Sequence, residues 1–182
     1  THGYQSYKGA PVLREAIADW YARHYAVTLN ADTEILPLIG SKEGIVHIAM
    51  TYLQEGDEVL VPNPGYPTYT SAVRLTGATI VPYELSETTD WLIDFDALEK
   101  RNLSRVKMMW MNYPHMPTGA SANLEFFTKA VAFARKHNIL LVHDNPYSFI
   151  LNEQPLSLLA VDGAMDVAIE LNSLSKSSNM AG

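Results

Sequence analysis

Short apolar runs recur along the chain, separated by segments of helical periodicity. "EILPLI", "EVLVP", "ATIVPY", "VKMMWMN", "ILLVHD" and "VAIEL" read as strands. Between several of them, "SKEGIVHIAMTYLQ", "TYTSAVRLTG" and "NLEFFTKAVAFARKHN" read as helices. The last of these puts Phe127, Val131 and Ala134 on one face and ends on His137 and Asn138. Ahead of the first strand, "GAPVLREAIADWYARHY" spaces Leu13, Ile17, Trp20 or Tyr21, and His24 as one helical face, with Pro11 suited to a first turn. Strands that are apolar on both faces and joined by helices predict a mostly parallel sheet covered on both sides. The expected fold is α/β, a three-layer α/β/α sandwich. No repeat or low-complexity linker interrupts the pattern, so one continuous unit is expected.

Composition narrows the partners. With 47% hydrophobic and 18% charged residues in 182, the chain has the material for a sizeable core. Its 13 basic residues are scattered among 20 acidic ones, a formal charge of −7, which argues against a nucleic-acid partner. Without cysteine there is neither a disulfide framework nor a thiolate metal site, and no metal is expected. The longest apolar runs are too short to span a bilayer, and "THGYQSYKG" lacks the apolar core of a signal peptide. A cytoplasmic protein without a membrane partner is therefore expected. The chain opens on Thr1 rather than Met, as a piece of a longer protein would.

In parallel α/β sheets, ligands gather beyond the carboxyl ends of the strands, where loops and helix N-termini converge. There the sequence places "GSKEG", in which Gly40 permits a tight turn and Ser41 can cap the following helix over a phosphate seat. "NPGYPTY" would hold Tyr66 between prolines, suited to stacking on a flat ligand. "NYPHMPTG" is a second proline-punctuated loop, beginning at Asn112. "DNPYSF" ends a buried strand on Asp144, a carboxylate that must be paired, capping or facing a cation, with Tyr147 three residues on. "NSLSK" brings Lys176 behind Ser173. Each stretch alone reads equally as a turn, a packed ring, a cap or a solvated charge. Together they suit one flat, anionic cofactor with a basic nitrogen.

The ordered set "YQSYKGAPVLREAIADWY", "GSKEG", "NPGYPTY", "NYPHMPTG", "DNPY" and "SLSK" resembles the fold type I, class I/II aminotransferases dependent on pyridoxal 5'-phosphate, from Thr1 to Gly182. The resemblance implies an enzyme moving an amino group from an amino acid to a 2-oxo acid. Lys176 would bind the cofactor's aldehyde covalently and carry the substrate's proton. Asp144 would pair with the ring nitrogen, Tyr147 would hold the ring's O3', and Tyr66 would stack on its face. Ser41, the backbone of Lys42, and Ser173 would hold the phosphate, with Asn112 a weaker candidate near O3'. Tyr4 would reach the phosphate of a neighbouring subunit, which implies a homodimer.

The resemblance has two departures. Met116 stands where the family usually has asparagine, and a thioether cannot donate a hydrogen bond. A family arginine that binds phosphate would fall beyond Gly182. The chain is thus expected to be an incomplete cofactor-binding large domain, without the N-terminal segment and small C-terminal domain, and inactive alone. A lyase of the same fold and a cofactor-binding module without turnover are the rival readings. "GSKEG" and "DNPYSF" lean toward the diaminopimelate and aspartate-like branches.

Overall fold

The computed structural model describes residues 3, 4, 6–150 and 152–181. The readings that rest on Thr1 and Gly182 lie outside the described residues. The backbone groups into two compact units, Thr1–Ile39 and Gly40–Gly182, where the pattern predicts one. The reason lies in the sheet, which begins only at Glu58 and takes no strand from the first unit.

In the first unit, helix α1 spans Pro11–Tyr25, with Pro11 in its first turn as expected. Its buried residues are Arg14, Tyr21 and Tyr25, whereas Leu13 and His24 are exposed. The apolar stripe predicted from spacing is therefore displaced by a buried arginine. Arg14 donates to the carbonyls of Gly9 (2.7 Å) and Ala31 (2.8 Å) and to Asp32 Oδ1 (2.9 Å), so its burial is offset by the bonds it makes. The stretch "EILPLI" is not a strand: residues 35–38 are irregular, and Leu36 and Ile39 are exposed. Pro37 removes a ladder donor from the middle of the run, which apolar content alone does not reveal.

The second unit is a five-stranded, all-parallel sheet in the order β2-β1-β3-β4-β5. Its strands are β1 Glu58–Asn63, β2 Thr79–Glu84, β3 Val106–Asn112, β4 Leu140–Asp144 and β5 Ala168–Leu171. Its helices are α2 Ser41–Tyr52, α3 Pro67–Leu75, α4 Phe95–Glu99, α5 Leu124–His137 and the short α6 Leu174–Ser177. The two caps of α5 are polar: Asn123 accepts from Phe126 N–H, and Asn138 closes the helix in the left-handed region.

Side chains alternate across the sheet and divide the core between two faces. Met109, Met111 and Leu141 pack with Phe126, Phe127, Ala130, Val131 and Ala134 of α5. On the opposite face, Trp110 stacks on Tyr69 of α3 with ring centroids 5.1 Å apart. Phe127 is 1% exposed and lies at the centre of the α5 face. Phe127→Ala is expected to cost about 3–5 kcal/mol, from the lost burial and the cavity left behind. Denaturant unfolding with an unchanged m-value would show it as a lower midpoint.

Candidate active site

The register of the central strands brings their carboxyl ends together. Asn112 of β3 pairs with Asp144 of β4, and Asp144 pairs with Leu171 of β5. Asn112 fastens this edge: its Nδ2 donates to the Asp144 carbonyl (2.7 Å), and its Oδ1 accepts from Met116 N–H (2.8 Å). The amide is thus committed to backbone on both sides, which leaves one N–H for any other partner.

Asp144 is 4% exposed. Its Oδ2 accepts from the Tyr69 hydroxyl at 2.8 Å, whereas its Oδ1 is buried without a hydrogen-bond partner. Burial pushes its carboxyl above the usual carboxylate range, while the Tyr69 bond and the neighbouring His143 pull it down. A buried acceptor left open costs free energy, so this oxygen marks a place for a donor. Tyr69 was not among the residues singled out by the sequence. It follows Tyr66 by three positions, one turn into α3, and its phenol is pushed up by burial and by Asp144.

The loop before α3 explains how Tyr66 is held. A side chain on Gly65 would put its Cβ 2.5 Å from the Pro62 carbonyl oxygen, so only glycine allows the chain to turn back over β1. Tyr66 then takes the N-cap position, and Pro67 opens the helix. The half-buried Tyr66 ring packs edge-on to Tyr69 at 5.6 Å, and Lys42 Nζ lies 6.0 Å from its centroid. Tyr147 is half-buried, and its phenol is raised by burial, then by the Asp144 charge and by Tyr66. Tyr66, Tyr69, Asp144 and Tyr147 therefore form one cluster, with Lys42 at its side.

At α2, Gly40 rather than Ser41 occupies the cap, with φ at 93°, and no side chain bonds the first turn. Ser41 is the first helical residue, so the expected cap is corrected. A hydroxyl at that position moves along with the helix instead of bridging back to it. The N–H groups of Ser41 and Lys42 have no intrahelical partner and stand at the positive end of the helix. Ser173 does cap α6, accepting from Ser175 N–H at 3.1 Å. Lys176 lies exposed on α6, five residues past the end of β5. Met116 is half-buried in the loop fastened by Asn112. Tyr4 is fully exposed in the first unit. Among the described residues, no group of three or more His, Asp or Glu could hold a metal ion, and no helix is long and apolar enough to cross a membrane.

Residues 1–182 match the family described as aminotransferase class I and II. The chain is 50% identical to the LL-diaminopimelate aminotransferase of Dehalococcoides mccartyi, across 100% of this chain and 47% of that protein. It is 43% identical to transaminase BacF of Bacillus subtilis, across 100% of this chain and 46% of that protein. Among solved structures, apo-BacF from Bacillus subtilis superposes with a TM-score of 0.96 at 43% identity, across 100% of this chain and 46% of that one. An aminotransferase from Staphylococcus aureus superposes with a TM-score of 0.92 at 35% identity, across 98% and 47%. The chain spans about half the length of the curated relatives it matches.

Proposed function

The chain belongs to the class I and II aminotransferases, and from that premise we propose that the intact protein transfers an amino group from an amino acid to a 2-oxo acid with pyridoxal 5'-phosphate. The observation that carries this reading is Asp144, whose open, buried Oδ1 stands at the end of β4 as an acceptor for a ring N–H. The rest of the donor set fits the same group. The Tyr66 ring offers a stacking face, the Ser41 and Lys42 N–H groups offer a phosphate seat, and Ser173 offers a hydroxyl on the neighbouring strand end.

When bound, the cofactor supplies an aldehyde that takes up the amino group and a ring that accepts electrons from the substrate's Cα. Asp144 would hold the ring nitrogen protonated from a buried, water-poor place. Tyr147, whose phenol is raised by burial, would donate to O3' without help from Met116. Lys176 would supply the covalent hold. Released as a free amine, Lys176 would carry the proton at the substrate's Cα.

The same reading makes this chain the cofactor-binding large domain, with the groups that read the substrate's carboxylate in the further half of its relatives' length. It makes the protein a cytoplasmic homodimer, with Tyr4 reaching the phosphate of the neighbouring subunit. The name of its relative in Dehalococcoides mccartyi, LL-diaminopimelate aminotransferase, favours diaminopimelate or a chemically similar amino acid as the donor. Incubation of the intact protein with pyridoxal phosphate, an amino acid and a 2-oxo acid is expected to yield the new amino acid in step with loss of the acceptor. Ammonia release without any acceptor would make it a lyase. Stoichiometric binding without turnover across a panel of amino acids would make it a silent module.

A further inference from the structure

Directly before Asp144 on β4 stands His143, and its partner is Glu170 on β5; both side chains are 0% exposed. His143 Nδ1 lies 2.8 Å from Glu170 Oε2, and Nε2 lies 3.0 Å from the Tyr113 carbonyl oxygen. Glu170 in turn accepts from the Ser157 hydroxyl at Oε1 (2.9 Å) and from Leu158 N–H at Oε2 (3.0 Å). A carbonyl can only accept, so Nε2 carries a proton. With Glu170 ionised, its oxygen accepts from Nδ1 as well as from the backbone N–H. The pair is then an imidazolium against a carboxylate, packed edge-on to Phe127 with ring centroids 5.1 Å apart.

Such a pair needs a reason. Burying two charges gains little stability over an apolar pair of similar volume, and the rest of this sheet face is apolar. Its position supplies the reason. The network ties the ends of β4 and β5 to Tyr113, at the start of the loop after β3, and to the 3₁₀ turn at Leu158. Asp144 is the next residue after His143, and Lys176 lies six residues after Glu170. Alternation along the strand puts the imidazolium on the opposite face from the Asp144 carboxylate but only one residue away.

We propose that His143 and Glu170 are positioning residues for the cofactor: as a buried imidazolium–carboxylate pair, they hold Asp144 in place and keep it a carboxylate toward the ring nitrogen. This rests on the pyridoxal-phosphate reading above and assigns two residues that the family-like motifs do not include. The pull of His143 on the Asp144 carboxyl, against its burial, runs in the required direction.

The charge state is read from histidine-labelled, cofactor-free intact protein by ¹⁵N NMR at neutral pH, with His143 assigned by loss of its signals in His143→Gln. Both ring nitrogens are expected to be protonated; a neutral ring with one protonated nitrogen overturns the proposal. Its action through Asp144 is read from pyridoxal phosphate affinity in a double-mutant cycle. Glu170→Gln is expected to weaken binding about tenfold in the wild-type background and by less than about twofold beside Asp144→Asn, because coupled residues are not additive. Equal losses in both backgrounds mean that Glu170 is scaffold only, which overturns the proposal. If Glu170→Gln does not fold, the NMR result decides alone. Wild-type protein that binds no pyridoxal phosphate overturns the underlying reading as well, an outcome distinct from either of these.

Discussion

Lys176→Ala is expected to lower turnover of the intact protein by about 10⁴-fold, the upper end of what a positioned proton-transferring group contributes. It is also expected to abolish the visible absorbance that a covalently held cofactor gives the protein. The two losses have one cause. In the proposed site Lys176 is both the amine that would hold the cofactor and the base that would serve the substrate's Cα, and alanine can do neither. Because Lys176 is exposed on a four-residue helix, its truncation should leave the fold unchanged. An inactive variant with wild-type melting behaviour would therefore place the loss in the chemistry. Steady-state kinetics with a thermal melt make both comparisons.

Asp144→Asn is expected to act in opposite directions on activity and on stability. Turnover should fall about 100- to 1,000-fold, since the charge proposed to face the cofactor's ring nitrogen is gone and electrostatic groups of this kind are worth that much. Stability of the cofactor-free protein should rise by a few degrees in melting temperature at neutral pH. Burial raises the Asp144 carboxyl in the folded state, so the group's contribution is greatest below the unfolded carboxylate range and is lost as pH rises through the folded value. Wherever the folded protein bears the ionised carboxylate, one of its oxygens is open, and asparagine removes that buried charge. The gain should shrink as the pH falls and the wild-type carboxyl takes up its proton. Melting curves of both proteins from neutral to acid pH would show the two converging.

The opposing signs explain why parts of the site resisted reading from the chain. Strands β1, β3 and β4 were legible because runs buried on both faces announce themselves, and the partly buried edge strands β2 and β5 by their apolar residues; the direction of the sheet followed from the helices between them. The carboxyl ends of those strands pointed to Asp144, Tyr147 and Tyr66, which the fold groups together, and to Lys176, which lies exposed on α6. "EILPLI" misled because apolar content does not show whether a neighbouring strand is available, and Pro37 was the warning. In α1, spacing favoured leucine and isoleucine over Arg14, since no local pattern shows that four oxygen partners wait for a guanidinium. Ser41 missed the cap by one residue, within the shift expected at helix ends.

Tyr69 and the His143–Glu170 pair were invisible for a different reason. Tyr69 reaches Asp144 across 75 positions of sequence, a contact that only the packing of α3 on β4 creates. His143 and Glu170 did leave a trace: a polar residue stands near the end of each of two largely apolar strands, "ILLVHD", where Asp144 follows it, and "VAIEL". Their adjacency depends on the parallel register that pairs His143 with Glu170. Polar residues in strands buried on both faces are thus a sign worth pairing once the strand order is known.

The central claim is that the strand ends form one pyridoxal phosphate site whose anchor is Lys176. The most direct measurement is to incubate the intact protein with pyridoxal phosphate, reduce it with borohydride to fix any carbon–nitrogen link, and map the adduct by peptide mass spectrometry. The site described above predicts a single phosphopyridoxyl group, on Lys176. An unmodified Lys176, or an adduct carried instead by Lys42 or another lysine, would contradict it.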